Sequence, residues 1–350
     1  MNKRSDSIDY AKGIGILLVI LGHMQILACG ESFETLTNVI YSFHMPLFFF
    51  LSGLTLDRKY RSRPPNAADV KKLAKRLMIP YFSWCGVYIV LKCIVQREGL
   101  IRLIKRNAAA VLTMRGIAPL WFLSALFVAE ILVMLLVYKL GMKKIHLLIL
   151  TGIAVLSLNN AVQVLRSVFS YYTRLRVVTF YRIFPCVFFL TLGCLMSPML
   201  TADRSRYKGK RTALMFGSAA VFAAVNIFFN GSANLYKMYF ENTAAFIAAG
   251  VAGSLMTVCL CTLIPEKFAP LRFLGRNSML MMVLHYPPIP TILLCESLMV
   301  SLGLGGFACA AAVFAMTVII TATLCILYGV ARSAVQRITV ARRSSVVCKV

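Results

Sequence analysis

Three ionisable residues share one apolar stretch, DYAKGIGILLVILGH, at residues 9–23: Asp9, Lys12 and His23. Such groups are costly in an apolar segment and persist where they find partners or perform chemistry. Lys12 and His23 are eleven residues apart, about 20° past three full helical turns, so they lie on one face. Asp9 falls about 40° from His23 on that face, and the rise from Lys12 to His23 is about 16 Å. An imidazole so placed can act as a general base toward a hydroxyl or as a nucleophile. A structural alternative stands beside each: Lys12 snorkels to the surface, Asp9 is its i,i+3 ion partner, and His23 is satisfied inside a bundle.

Other candidates follow the same logic. His44 lies in SFHMPLFFFLSG, and Pro46 removes the helical bond to the Ser42 carbonyl beside it. Only about ten residues join the first two apolar runs, so these pack as antiparallel neighbours with His23 and His44 within roughly a turn in depth. His285 lies in MLMMVLHYPPIP, where Pro287, Pro288 and Pro290 break the helix. It either borders a cavity or is a core histidine at a kink. Glu130, alone in an apolar run, requires a partner or a proton. Trp121 and Phe122 precede it as an interface anchor or a cavity wall. His146, beside Lys143 and Lys144, reads as interfacial.

The elements that must position these groups are membrane helices. Of 350 residues, 59% are hydrophobic and 14% charged. Mean hydropathy is +0.78. Apolar runs of spanning length occur near 11–29, 39–57, 78–96, 119–138, 144–160, 182–200, 211–230, 243–264, 278–299 and 305–331. With the N-terminus inside, 26 of the 38 basic residues fall in cytoplasmic segments and 11 outside. The expected fold is thus an all-α integral membrane bundle of about ten helices with both termini cytoplasmic. The chain divides into a membrane domain, 1–331, and a basic tail, 332–350. The formal charge of +26 is spent on topology and anionic lipid, which excludes a nucleic-acid partner. Eleven cysteines form no Cys-x-x-Cys pair, so no metal is expected. Leu27 before Cys29, with Asp6 and Asp9 upstream, reads as an uncleaved first span. Residues 96–119 and 167–182 read as an interfacial amphipathic helix and an aromatic belt, or else as a basic, aromatic surface for an anionic or sugar-like acceptor outside.

Five motifs then carry a resemblance. DYAKGIGILLVILGH, SFHMPLFFFLSG, PLWFLSALF, YRIFPCVFFLTLGCLM and FLGRNSMLMMVLHYP, in this order, resemble the membrane-bound acyltransferase-3 family, most closely its fucose O-acetylase-like branch. The resemblance implies a ten-helix O-acyltransferase moving an acyl group, usually acetyl, from cytoplasmic acyl-CoA to a hydroxyl of an extracytoplasmic glycan. It implies acetyl-CoA as co-substrate, the lipid bilayer and a carbohydrate acceptor as partners, and a bacterial cytoplasmic membrane as location. His23 matches the family's essential histidine. Lys12 stands where the family has arginine, which keeps the charge and loses the bidentate fork. Arg182 and His285 resemble family positions before the sixth span and in the penultimate helix.

The expected catalytic set is His23, Asp9 and Lys12. Lys12, Arg58, Lys71, Lys75 and Arg76 are the expected acyl-CoA contacts, although positive-inside charge explains the last four equally well. His44, Trp121, Glu130, Arg182 and His285 are expected around the cavity. Direct attack in a ternary complex is favoured over an acyl-histidine relay. The competing reading is a transporter or flippase of a glycan precursor.

Overall fold

Backbone polar groups cannot be left unpaired in hydrocarbon, so an apolar chain of this length folds as helices. The computed structural model describes residues 6–23, 31–168, 178–203, 205–229, 231–285, 297–298, 300–303 and 306–347. Eleven helices organise them: α1 Asp6–His23, α2 Glu31–Tyr60, α3 Ala67–Gln96, α4 Leu100–Leu112, α5 Trp121–Val133, α6 Lys144–Val168, α7 Ile183–Leu200, α8 Lys208–Phe229, α9 Thr243–Leu263, α10 Ala269–Leu284 and α11 Gly306–Val347. A π-helical turn, Met134–Lys139, extends α5, and a two-stranded hairpin pairs Ala233 with Phe240 between α8 and α9.

Local chemistry sets several boundaries. The Asn66 side chain accepts from the Asp69 amide at 3.0 Å, and Asp69 Oδ2 accepts from the Asn66 amide at 3.1 Å. This reciprocal box starts α3. Asn242 caps α9 through the Ala245 amide at 3.0 Å. Gly116 turns the chain into α5 at φ +78, where a Cβ would overlap the Trp121 backbone.

Among the described residues seven helices are long and apolar enough to cross a membrane: Glu34–Tyr60, Ala67–Val95, Ala118–Lys139, Val178–Leu200, Lys208–Phe229, Thr243–Leu263 and Phe307–Ala331. The sequence reading of ten spans has three more. One is α1, which carries Asp6, Asp9 and Lys12 in 18 residues. Another is α6, whose apolar part runs Lys144–Asn159. The third is α10, which has 16 residues and begins at Ala269, nine before the expected 278. Its early start is a correction. Arg272 and Arg276, expected in a loop, lie on the helix because Asp6 and Asp9 of α1 meet them, at 3.9 and 3.3 Å. The expected readings at Cys29, at Tyr171 to Arg176 and at Pro287 to Pro290 lie outside the described residues. The last helix runs past residue 331 to Val347, within the segment expected as a basic tail.

α2 and α7 form the buried centre. Gly53 and Gly193 bring their backbones together, since a Cβ on either would overlap a carbonyl oxygen, of Leu190 or Phe50. α3, α8 and α11 turn apolar side chains outward, among them Ile79, Ile94, Phe216, Phe228, Ile319 and Leu327. A belt of this kind is solvated by lipid. α4 is strongly amphipathic, burying Leu103 and Ala110 and exposing Arg102, Lys105 and Arg106.

Candidate active site

The site is built on α1 and α10. Asp6 meets Arg272, Asp9 meets Arg276 and His23 meets His285, so the two helices run parallel. Small residues permit the approach: a Cβ on Gly13 would lie 2.6 Å from the Leu271 carbonyl oxygen, and one on Gly275 would overlap that of Asp9. Gly13 precedes His23 by ten residues, and Gly275 precedes His285 by ten. Helices pinned at the glycines therefore bring the histidines to one level about 15 Å farther along. His23 Nδ1 lies 2.8 Å from His285 Nε2, with ring centroids 5.0 Å apart. Tyr88 of α3 steadies the end of α10, its hydroxyl donating to the Val283 carbonyl at 2.7 Å.

The hydrogen-bond pattern selects a tautomer. A carbonyl only accepts, so His285 Nδ1 carries its hydrogen toward Met281 O at 2.9 Å. Neutral His285 then holds its lone pair at Nε2 and accepts from His23 Nδ1–H. His23 in turn holds its lone pair at Nε2. His44 is set in the same way, donating from Nδ1 to Ile40 O at 2.8 Å.

His23 and His44 both line a cavity of about 620 Å³, the size of a small-molecule site. Single helix faces make its walls. α1 contributes Lys12, Ile16, Val19 and His23, and α2 contributes Tyr41, His44, Met45, Phe48, Ser52 and Thr55. α5 adds Trp121, Phe122, Leu126 and Glu130. Spacings of three and four residues recur on each. Toward the Asp6 end of α1, Arg76 Nη2 donates to both Glu130 carboxylate oxygens, at 2.8 and 2.7 Å, and the Ser52 hydroxyl donates to Oε1 at 2.5 Å. Toward the His23 end, the wall holds Trp121, Tyr236, Lys237 and Lys92. Arg182 is packed against two of these, its guanidinium carbon 4.9 Å from the Trp121 ring centroid and 4.7 Å from that of Tyr236.

The Arg76–Glu130 pair makes an asymmetric prediction. Arg76 is 57% exposed in its side chain and Glu130 only 4%. Arg76→Ala leaves a buried carboxylate short of donors and costs about 1–3 kcal/mol. Glu130→Ala leaves an arginine that water can solvate and costs less. Thermal unfolding of the detergent-solubilised variants measures the order.

A family model described as an acyltransferase domain (acyltransferase 3) matches residues 5–329. The chain belongs to the acyltransferase-3 family. It is similar to two curated proteins named Nodulation protein NolL. That of Mesorhizobium japonicum is 34% identical over 142 residues, 39% of this chain and 36% of the relative. That of Sinorhizobium fredii is 34% identical over 91 residues, 25% of each. The chain thus spans about a third and a quarter of the curated relatives it matches. No solved structure matches it.

On this acyltransferase-3 scaffold the expected residues separate. Lys12, Arg76, His23, His44, Trp121 and Glu130 line the one cavity. Arg58, Lys71 and Lys75 lie off it, the last two exposed on the outer side of α3. Asp9 is buried and turned to Arg276 rather than to the cavity. His285 stands behind His23, and Arg182 behind Trp121. His23 and His44 share the cavity, and the histidine at hydrogen-bond distance from His23 is His285, because the glycine contacts draw α10 against α1. Trp121 is 7% exposed and stacks on Arg182, so it is not an interface anchor. Ser52, Tyr236, Lys237 and Lys92 were not anticipated at the site. Ser52 was recoverable, since it continues the face of His44 and Phe48 at helical spacing. The other three are brought in by tertiary folding. Among the described residues no cluster of three or more His, Cys, Asp or Glu could hold a metal ion.

Proposed function

We propose that this protein is an integral-membrane O-acyltransferase that transfers an acetyl group from cytoplasmic acyl-CoA to a hydroxyl of an extracytoplasmic glycan. Ten passes with both termini in the cytoplasm place the Asp6 end of α1 inside and the His23 end toward the outer face of a bacterial cytoplasmic membrane. The observation that carries the reading is His23 on the cavity wall with Nδ1 2.8 Å from His285 Nε2. That contact orients the ring and directs its lone-pair nitrogen to reaction.

The chemistry balances without a further reagent. The acceptor hydroxyl gives its proton to His23 Nε2 as its oxygen attacks the thioester carbonyl. The new C–O bond forms, the C–S bond breaks, and the imidazolium returns the proton to the departing thiolate. His285 accepts from His23 Nδ1–H throughout and stabilises the transient imidazolium, which makes it a positioning residue. Lys12 and Arg76, both at the inner half of the cavity, face the acyl-CoA. Arg58, Lys71 and Lys75 lie off the cavity and raise the local concentration of an anionic donor at the inner face. Asp9 holds α1 to α10 through Arg276. His44, with its Nε2 lone pair, and Glu130, held by Arg76, complete the polar wall.

The test is transfer of radiolabelled acetyl from acetyl-CoA to surface glycan in membranes containing the protein. Acetyl-CoA consumption coupled to glycan labelling supports the reading, and glycan export without consumption refutes it. His285→Ala lowers kcat about 10²-fold and leaves KM for acetyl-CoA unchanged. His285→Gln retains an acceptor for His23 Nδ1–H and recovers part of the rate, as measured by thiol release.

A further inference from the structure

The outer half of the cavity has a charge that acyl transfer to a neutral alcohol does not require. Its wall carries two ammonium groups, Lys92 and Lys237. Neither has a carboxylate within ion-pair distance among the described residues, and Glu98, whose charge reaches Lys92, is itself paired with Arg106 at 3.0 Å. Behind Trp121 and Tyr236 lies Arg182, 2% exposed, again without a carboxylate partner among the described residues. Its Nε–H is buried with no hydrogen-bond acceptor, and so is the Nε–H of Arg115. Arg115 lies close enough for its charge to act on Arg182. Among the described residues the one acidic side chain lining the cavity is Glu130, held by Arg76 in the inner half. The sequence agrees: no Asp or Glu occurs between Glu130 and Asp203, while Arg166, Arg174, Arg176 and Arg182 all fall there.

Burying a guanidinium without a counter-ion is costly, and two aromatic faces offset only part of that cost. Placing a second arginine beside it raises the cost further. The low-dielectric wall also means that both charges are felt inside the cavity. An anionic ligand would remove this penalty and leave a neutral one to bear it.

Resting on the acyltransferase reading above, we infer that the acceptor is an acidic carbohydrate, whose oxyanion sits between Lys92 and Lys237 in the field of Arg182 and Arg115. The oxyanion is either a carboxylate on the sugar ring or a phosphate on the sugar's anomeric oxygen. Both present oxygens to the same cations. Anion recognition then aligns a neighbouring hydroxyl with His23, so a neutral sugar is a poor acceptor even where its hydroxyls match.

The chain has two tryptophans. With Trp84→Phe as background, Trp121 fluorescence reports ligand binding in nanodiscs without any turnover. The probes are methyl glucoside, methyl glucuronide and glucose 1-phosphate. At least about tenfold tighter binding of one or both anionic sugars is expected, weakened by salt. Preference for glucuronide alone identifies a ring carboxylate, and preference for glucose 1-phosphate alone identifies an anomeric phosphate. Lys237→Gln, at an exposed position of the hairpin loop, and Arg182→Gln each reduce the preference several-fold. Because Lys237 is outside the core, its variant keeps the test valid if Arg182→Gln does not fold. Equal binding of the neutral sugar, no binding of either anion, or a preference unchanged in Lys237→Gln overturns the inference. Equal binding with intact acetyl transfer refutes the acidic acceptor and leaves the transferase standing. Anion preference without acetyl-CoA-dependent transfer does the reverse.

Discussion

Replacing His23 with alanine is expected to lower acetyl transfer about 10³-fold or more while the protein still inserts and binds acetyl-CoA. General-base catalysis alone contributes about 10²–10⁴, and an unassisted alcohol is a poor nucleophile toward a thioester. The large effect follows from geometry. His23 is the histidine that both lines the cavity and contacts a second imidazole, through Nδ1 at 2.8 Å. His44 lines the same cavity but its Nδ1 is spent on the Ile40 carbonyl of its own helix. His44→Ala therefore costs less than His23→Ala. Lys12 and Arg76, the proposed donor contacts, remain in the His23 variant, so acetyl-CoA binding survives. Single-turnover transfer and equilibrium acetyl-CoA binding, measured on the same membrane preparations, separate chemistry from binding. Transfer retained in His23→Ala assigns the base elsewhere.

The second large effect is far from any reacting atom. Gly275→Val is expected to reduce transfer by about 10²-fold or more, as a small misplacement of catalytic groups does. A Cβ at 275 would overlap the Asp9 carbonyl oxygen, a backbone atom that cannot swing aside. α10 must then move from α1, and overpacking of this kind costs typically about 1–3 kcal/mol in stability as well. The displacement is carried ten residues along to His285, where the contact with His23 has no slack. Gly217→Ala on α8 is the control, because nothing lies within 4 Å of the added Cβ. Transfer assays with thermal unfolding of both variants check the outcome. Wild-type transfer in Gly275→Val would show that the His23–His285 contact is dispensable.

Much of the site was legible in the sequence because helical periodicity is a local property. The alignment of Lys12 and His23 requires only about 100° per residue, and both lie on the cavity wall, while Asp9, about 40° round the helix from His23, is turned to Arg276 of α10. Apolar composition also placed most of the spanning segments, since hydropathy does not depend on neighbours. The start of α10 was missed for a physical reason. Arg272 and Arg276 look like loop charges until Asp6 and Asp9 are brought beside them from the other end of the chain.

The sequence by itself determined that this is a multi-pass helical membrane protein, that its histidines lie in apolar runs, and which residues share a helix face. Tertiary structure alone decided who meets whom across helices. His23 meets His285 across 262 residues because Gly13 and Gly275 let two parallel backbones touch. Glu130 meets Arg76, and Arg182 slides between Trp121 and Tyr236, because helix packing sets how each cylinder is rotated and how deep it sits. A period of 3.6 residues fixes the angle of a side chain about its own axis. It carries no information on which helix lies opposite, and only close packing of small residues supplies that.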